Sequence, residues 1–167
     1  MRRVHDFGIG ERGVIVNLQR KIRLSVDTYR AFVERILLEI PEARDSEFAV
    51  AFVSDRKMKE LNSLFRGQSS TTDVLSFPYL QGEFETEELL SAGSNGRKSP
   101  AKRYLGDIVI SAEQASRQAE AAGHTFKLEV EQLILHGVLH LCGYDHETDN
   151  GEMNARELKL RHILGIE

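Results

Sequence analysis

Three of the six histidines in this 167-residue chain, His136, His140 and His146, lie close together. His136 and His140 are four residues apart in a predicted helix, so both rings leave the same helix face one turn apart. Gly143 is predicted to end that helix and to let the chain turn back, which can bring His146 beside the other two rings. Three imidazole ligands leave a fourth tetrahedral position for water, as in catalytic zinc sites. The sequence therefore predicts one Zn²⁺ per chain, held by a helix and the loop after it, although histidine also suits nickel, copper and iron.

The same spacing is the ligand pattern of the metzincin proteases. Those enzymes place a glutamate, which acts as the general base, directly after the first histidine, and this chain has Gly137 there. Glycine cannot accept a proton from a water molecule. The pattern therefore favours a metal site and disfavours peptide hydrolysis by that route.

Hydrophobic periodicity predicts about four strands and five helices that partly alternate. The expected strands are residues 14–18, 48–53, 73–78 and 107–110. The expected helices are residues 27–39, 55–65, 112–122, 126–141 and 151–163. Ser111 and Gln114 have the spacing of a capping box, and Gly123 is expected to end the helix that they open. The order favours an α+β fold, a mixed α/β sandwich, in a single metallohydrolase domain over residues 1–167.

Residues 81–103 differ in composition from the rest of the chain. Four glutamates lie between residues 83 and 88, a Ser/Gly-rich stretch follows, and four basic residues lie between 97 and 103. This composition predicts a flexible surface loop.

The bulk composition excludes several classes of protein. Cys142 is the single cysteine, so an intrachain disulfide is impossible and a reducing compartment is expected. No apolar run approaches the roughly 20 residues that span a bilayer. His5 and Asp6 stand where a signal peptide needs its apolar region, so we expect a cytoplasmic protein with no membrane partner. The net charge of -4 disfavours nucleic-acid binding by the whole surface but permits a local basic groove.

Three blocks of sequence, in order along the chain, resemble the YbeY family of bacterial rRNA maturation factors. The first block is residues 61–67 followed by 72–78, the second is residues 105–111, and the third is the histidine signature from His136 to His146. Phe65 stands where the family often has tyrosine. The resemblance implies a metal-dependent, single-strand-specific endoribonuclease of the cytoplasm. Its implied role is small-subunit rRNA 3′-end processing and ribosome quality control, with single-stranded RNA and the ribosome or its small subunit as partners.

The resemblance also implies roles for individual residues. It makes His136, His140 and His146 the zinc ligands, and it places Arg66 beside the active cleft as a catalytic residue. The guanidinium of an arginine matches a phosphate with a planar fork of donors, whereas the alternative role of Arg66 is a surface ion pair.

The general base stays open at this stage. Asp145 and Glu147 flank the last histidine and can each serve as acid or base, or can orient a ring through its second nitrogen. Asp73 and Asp107 are further candidates, with capping or strand-end roles as the alternatives. If the 2′-hydroxyl of the RNA attacks, no activated water is needed.

The remaining polar and aromatic residues have ordinary roles as alternatives. Cys142 is expected to be a small buried thiol rather than a ligand, and the other three histidines are left out of the site. Aromatic rings that could stack on RNA bases are Phe77, Tyr79 and Tyr144. Basic residues that could follow an RNA backbone are Arg20, Lys21, Arg23 and those of the 97–103 stretch.

Two other functions compete with the nuclease. One is a non-enzymatic ribosome assembly factor, in which zinc only holds the last two helices together. The other, disfavoured by Gly137, is a metzincin-like metalloprotease.

Overall fold

The computed structural model describes residues 14–79 and 102–167. The strands of the described part are β1 (Ile15–Asn17), β2 (Ser46–Val53), β3 (Val74–Pro78) and β4 (Arg103–Ser111). The helices are α1 (Asp27–Glu39), α2 (Asp55–Arg66), α3 (Ala112–Ala122), α4 (Phe126–Leu141) and α5 (Glu152–Leu164), with a short 3₁₀ helix at Pro41–Ala43. The predicted α+β fold with about four strands and five helices is confirmed.

The four strands form one mixed sheet in the order β1-β2-β4-β3. The β1–β2 and β2–β4 pairs are parallel, whereas β3 runs antiparallel to β4. The sheet is covered on both faces, which explains why β2 reads as an unbroken apolar run instead of an alternating one. Within residues 14–79 and 102–167, β3 is an edge strand and pairs with β4 along one side only.

The two faces of the sheet carry different hydrophobic cores. Ile108 and Ile110 of β4 pack into the larger core with residues of α1, α4 and α5. Val109 of the same strand belongs to the smaller core on the opposite face, with Met58 and Leu61 of α2. The alternation of side chains along β4 thus decides which of its residues face α4.

The helix that carries the histidines packs very closely on the sheet. A Cβ atom at Gly137 would lie 2.9 Å from both Cδ1 and Cγ2 of Ile108, closer than real contacts allow. The hydroxyl of Ser76 on β3 donates to the carbonyl oxygen of Gly137 over 3.4 Å. Gly137 therefore lets α4 approach the sheet, and a glutamate at this position would point into the core.

Side-chain caps begin three of the helices. Ser54, Ser111 and Thr125 each accept a hydrogen bond from the backbone N–H three residues later. The capping box predicted for Ser111 forms only in this half, because the Ser111 N–H donates to the Asp73 carbonyl oxygen across the β3–β4 pair (2.8 Å). A residue that both ends a strand and begins a helix has no free N–H for the reciprocal bond.

Two predictions concern segments near the gap in the described chain. The flexible loop falls mostly on residues 80–101, which lie outside the described residues, so it stays a prediction. Its predicted end at residue 103 is wrong, because Arg103 begins β4 and pairs with Ser46 of β2. The Arg103 side chain donates to the Glu42 carbonyl oxygen (2.7 Å), which keeps a basic residue stable at the start of a strand.

Across residues 14–79 and 102–167, no helix combines the length and the apolar character that a bilayer crossing requires.

Candidate metal centre and its cleft

The regular geometry of α4 brings the first two histidine rings together. His136 and His140 lie one turn apart with ring centroids 4.8 Å from each other. Their Nε2 atoms are 3.2 Å apart, so the two nitrogens approach the same point in space.

The turn after α4 delivers the third ring. Gly143, with φ of 98°, donates its N–H to the His140 carbonyl oxygen, and the Tyr144 N–H donates to that of Leu139. This pair of bonds is a Schellman motif, and its left-handed residue is best occupied by glycine. The chain reverses there and places the His146 ring 5.4 Å from His136 and 5.0 Å from His140, measured between centroids.

These three residues have the spacing and the chemistry of a metal site. Their ligand nitrogens all lie within 4.8 Å of one another, and within the described parts of the chain they form the group that can hold an ion. Two nitrogens bound to one tetrahedral zinc are roughly 3.3 Å apart, as follows from a Zn–N distance of about 2.0–2.1 Å. The observed 3.2 Å between the Nε2 atoms of His136 and His140 agrees with that separation.

The electrostatic environment of His140 favours the neutral, ligating form of its ring. Burial lowers the pKa of His140, and the neighbouring rings of His136 and His146 lower this pKa further. These effects exceed the opposing influence of a hydrogen bond to the Tyr144 backbone and of the Asp145 charge.

Cys142 does not belong to this cluster. Its side chain packs against the larger core, and burial raises the pKa of its thiol to about 11. A thiol that stays protonated is a poor zinc ligand, since the thiolate is the form that binds metal. The sequence predicts a buried thiol, whereas the thiol is only half-buried, packed against the edge of the larger core.

A carboxylate of α5 contacts the histidine cluster at Nδ1 of His136, the ring nitrogen that does not face His140. Glu157 of α5 places Oε2 2.9 Å from Nδ1 of His136. Its other oxygen, Oε1, accepts from Nη2 of Arg161 over 2.5 Å. Burial alone would raise the pKa of Glu157, but the hydrogen bonds from His136 and Arg161 hold it below its ordinary value.

The histidine cluster opens into a cleft of about 890 Å³. Its walls are the whole of β3, one face of α4 and the segment from Gly143 to Glu147, with Arg66 and Arg161 also at the lining. Of the charged and histidine residues predicted to act here, the cleft brings together the three histidines, Arg66, Asp73, Asp145 and Glu147.

Arg66, the last residue of α2, makes an exposed ion pair across the cleft mouth. Its Nη2 lies 3.1 Å from Oε1 of Glu147, and both side chains are about half exposed (45% and 62%). Exposed pairs of this kind contribute roughly 0–1 kcal/mol. The surface ion pair considered as the alternative role of Arg66 is thus present, and it is weak enough to be exchanged for an anionic ligand.

The two aspartates that line the cleft have defined structural partners. Asp73 Oδ1 accepts from the Val74 N–H (2.8 Å), and its Oδ2 accepts from Gln118 Nε2 (3.2 Å). Asp145 accepts from the Glu147 N–H and the Thr148 hydroxyl, and the hydrogen bond from Glu147 is the main cause of its lowered pKa.

The structure does not bring Asp107 to the cleft. Its buried carboxylate accepts a hydrogen bond from the Tyr104 hydroxyl, on the sheet face opposite α4. Successive side chains of a strand alternate between faces, so a strand-end aspartate has two placements that sequence alone does not separate. Asp107 is therefore not retained among the candidates for acid or base.

Comparison with known proteins identifies the chain. The family model described as endoribonuclease YbeY matches residues 14–165. The chain belongs to the endoribonuclease YbeY family. An endoribonuclease YbeY of Thermodesulfovibrio yellowstonii is 34% identical over 158 residues, which cover 87% of this chain and 89% of the relative. One from Caldanaerobacter subterraneus subsp. tengcongensis is 41% identical over 153 residues, 88% of this chain and 94% of the relative.

A solved structure supports the fold of this YbeY family member. The solution structure of TM1509 from Thermotoga maritima aligns with a TM-score of 0.56 and 26% sequence identity. The alignment covers 91% of this chain and 90% of that one. The resemblance to the YbeY family that the three sequence blocks carry is therefore confirmed.

The other described histidines are engaged away from the cluster. His124 Nε2 lies 3.0 Å from Oε2 of Glu129, and His162 Nδ1 lies 3.0 Å from Oε1 of Glu167. His5 lies outside the described residues. The exclusion of these three from the proposed site stays a prediction for this YbeY family member.

The aromatic candidates occupy different environments. Phe77 lines the cleft with its ring 4.9 Å from that of Phe65, in an edge-to-face arrangement. Tyr144 also lines the cleft and donates its hydroxyl to Oε1 of Glu42 (2.9 Å). Tyr79 packs edge-to-face with Tyr104, 5.6 Å between centroids, and is not part of the cleft lining.

Sequence reasoning missed Glu157, although a signal was present. Met153, Leu160 and Leu164 form the buried stripe of α5, and Glu157 stands in that stripe at helical spacing. A glutamate in a core-facing position is rare unless it is paired. A buried glutamate in the helix that follows the histidine cluster is therefore a candidate hydrogen-bond partner of one of the histidine rings.

Proposed function

We propose that this protein is a metal-dependent, single-strand-specific endoribonuclease of the cytoplasm. In this proposal it acts in ribosomal RNA maturation, with small-subunit rRNA 3′-end processing and ribosome quality control as its roles. The observation that carries the proposal is the meeting of three histidine nitrogens and Arg66 in one cleft, in a chain of the endoribonuclease YbeY family.

Zn²⁺ is the proposed cofactor, one ion per chain, held by His136, His140 and His146. When bound by three histidines, zinc supplies a Lewis acid for a phosphoryl oxygen and an activated water near neutral pH. The chain itself holds the rings in a fixed arrangement, through the α4 helix and the turn at Gly143.

The charge of the cleft supports metal dependence. Its lining contains two arginines, Arg66 and Arg161, and a larger set of carboxylates: Asp73, Glu129, Asp145, Glu147 and Glu157. An RNA phosphate entering such a cleft meets net repulsion, because like charges at close range disfavour each other. A divalent cation at the histidine cluster would offset most of this negative charge and so reduce the repulsion of a phosphate.

Arg66 is proposed to bind the phosphate. Its weak pair with Glu147 leaves the remaining guanidinium donors available for an anion at the cleft mouth. In oxyanion holes, the removal of one hydrogen-bond donor to the developing charge typically lowers the rate about 10²- to 10³-fold, and we expect a loss of this order for Arg66.

Asp73, Asp145 and Glu147 are the proposed acid or base residues, since all three line the cleft. Among the described residues, none of these three carboxylates hydrogen-bonds to a histidine ring. The choice among them, and between attack by water and by the 2′-hydroxyl, is a matter for the pH profile of each variant.

Peptide hydrolysis by a metzincin-like route is not supported. The position that would carry the general base is Gly137, whose absent side chain would point at Ile108 rather than into the cleft.

The test is removal and return of the metal. Purified protein is treated with a chelator, and cleavage of a single-stranded RNA and of its duplex is followed before treatment, after it, and after addition of Zn²⁺. We expect cleavage of the single strand alone, its loss on chelation and its return with zinc, while circular dichroism shows that the fold persists. The exposed His162 provides the matched control, because His162→Ala should leave both zinc content and cleavage unchanged. Cleavage that survives complete metal removal would refute the proposal, and loss of the fold on chelation would favour the structural role of zinc in an assembly factor.

A further inference from the structure

We propose that Glu157 is a positioning residue for the metal centre, which fixes the orientation and the tautomer of His136 by accepting its Nδ1–H. The inference rests on the proposed metal binding, but it concerns a residue that no part of the histidine signature contains. Glu157 lies on α5, a separate helix, 21 residues along the chain from His136.

Glu157 lies in a buried position, where a glutamate is rare unless it is paired. The residue stands in the buried stripe of α5 with Met153 and Leu160, and its side chain is only 10% exposed. A carboxylate in such a position is disfavoured unless its oxygens have partners. Both oxygens have them here: Oε2 contacts His136 and Oε1 accepts two bonds from Arg161, from Nη2 and Nε.

The pair with Arg161 determines which partner donates. A carboxylate that is ion-paired with a guanidinium carries no proton, so it acts only as an acceptor. The proton in the 2.9 Å contact must therefore belong to Nδ1 of His136. In neutral imidazole the other nitrogen is then bare, and Nε2 presents its lone pair to the cluster.

The direction of that lone pair agrees with the rest of the site. Nε2 of His136 is the atom that lies 3.2 Å from Nε2 of His140. Among the described residues, neither the His140 ring nor the His146 ring hydrogen-bonds to a carboxylate. Glu157 therefore contacts one of the three proposed metal ligands, His136, and this contact joins α4 to α5.

Three substitutions separate positioning from simple structural support. Glu157→Ala removes the acceptor, and Glu157→Gln retains the size of the side chain and one acceptor oxygen. The matched control is Glu131→Gln: Glu131 is also a buried glutamate, ion-paired with Lys127 at 2.9 Å on α4, but it lies outside the cleft lining. Zn²⁺ affinity is measured for each protein by competition with a chromophoric chelator, together with the thermal stability of the metal-free form.

We expect Glu157→Ala to weaken zinc binding about 10- to 100-fold, as is typical for loss of a carboxylate behind a histidine ligand. Glu157→Gln should bind zinc with intermediate affinity, whereas Glu131→Gln should lose some stability and no zinc affinity. A Glu157→Ala protein that is folded and binds zinc within about threefold of wild type would overturn the proposal.

The tautomer can also be measured in the wild-type protein, which avoids any folding defect of a variant. Long-range ¹H–¹⁵N correlation spectra of the zinc-loaded protein should show His136 with a proton on Nδ1 and none on Nε2. A proton on Nε2 and none on Nδ1 would overturn the proposal. Since neither readout involves RNA, failure of the endoribonuclease proposal would leave this result unaffected, and the reverse also holds.

Discussion

Replacement of Gly137 by alanine tests why α4, the helix that carries His136 and His140, has a glycine between them. At an unobstructed position within a helix, Gly→Ala stabilises a protein by about 1 kcal/mol. Here the new methyl group would lie 2.9 Å from Cδ1 and Cγ2 of Ile108 and 3.0 Å from its Cγ1. Ile108 is fully buried and cannot rotate away freely. Overpacking of a filled core costs about 1–3 kcal/mol, so we expect Gly137→Ala to change stability by between about zero and 2 kcal/mol in the destabilising direction.

The assay is urea denaturation of four metal-free proteins: wild type, Gly137→Ala, Ile108→Ala and the double variant. Ile108→Ala alone should cost about 2–5 kcal/mol, because it leaves a cavity. In the double variant the new methyl group occupies part of that cavity, so the two changes should couple favourably by about 1 kcal/mol or more. Stabilisation of wild type by Gly137→Ala of about 1 kcal/mol, with additive effects in the double variant, would refute the packing argument.

Three further predictions concern the surroundings of the cluster. Cys142→Ala should leave zinc affinity unchanged and alter stability by no more than about 1 kcal/mol, and a marked loss of zinc would make Cys142 a ligand after all. The Cβ of alanine at position 143 would meet no atom within 4 Å, but the residue must adopt φ of 98°. Gly143→Ala should therefore destabilise the protein by about 1–2 kcal/mol and weaken zinc binding, with Gly143→Asn less affected. Equal zinc affinity in wild type, Gly143→Ala and Gly143→Asn would contradict the role of the turn. The Glu42 carboxyl is held below its ordinary pKa, because hydrogen bonds from Arg156 and Tyr144 outweigh the effect of burial. Its contribution to stability is therefore present at neutral pH and lost as pH falls through the folded pKa, so Glu42→Gln should lose less stability than wild type between pH 7 and acid pH in denaturation experiments.

Much of the fold follows from local patterns in the sequence. The helix at Asp27–Glu39 and the helix at Phe126–Leu141 have the predicted bounds, because apolar spacing and the flanking proline or threonine mark their ends. The start of β4 was predicted four residues late, at Asp107 instead of Arg103. Polar residues at the beginning of a strand resemble a loop when their partners, here Ser46 and Glu42, are distant in sequence.

The residues of the candidate site also fall into two groups, those that local spacing places and those whose position depends on how the helices and strands pack. His136, His140 and His146 could be predicted as a group because one helix and one turn connect them, so short spacings determine their geometry. Glu157 could not be placed against His136 by spacing, since that contact depends on how α5 packs on α4. Whether Asp107 faces α4 or the opposite side of the sheet depends on the alternation of side chains along β4. An error of one residue in placing the strand moves each side chain to the other face.

The most direct test of the central claim compares wild type, His136→Ala and Arg66→Ala for zinc content and for cleavage of single-stranded RNA and its duplex. We expect about one zinc per chain in wild type and cleavage of the single strand only. His136→Ala should lose both metal and cleavage, whereas Arg66→Ala should keep its zinc and lose cleavage. Zinc bound by wild type together with cleavage that is unchanged in both variants would contradict the account, since the nuclease would then be a contaminant and the assembly-factor function would explain the metal better.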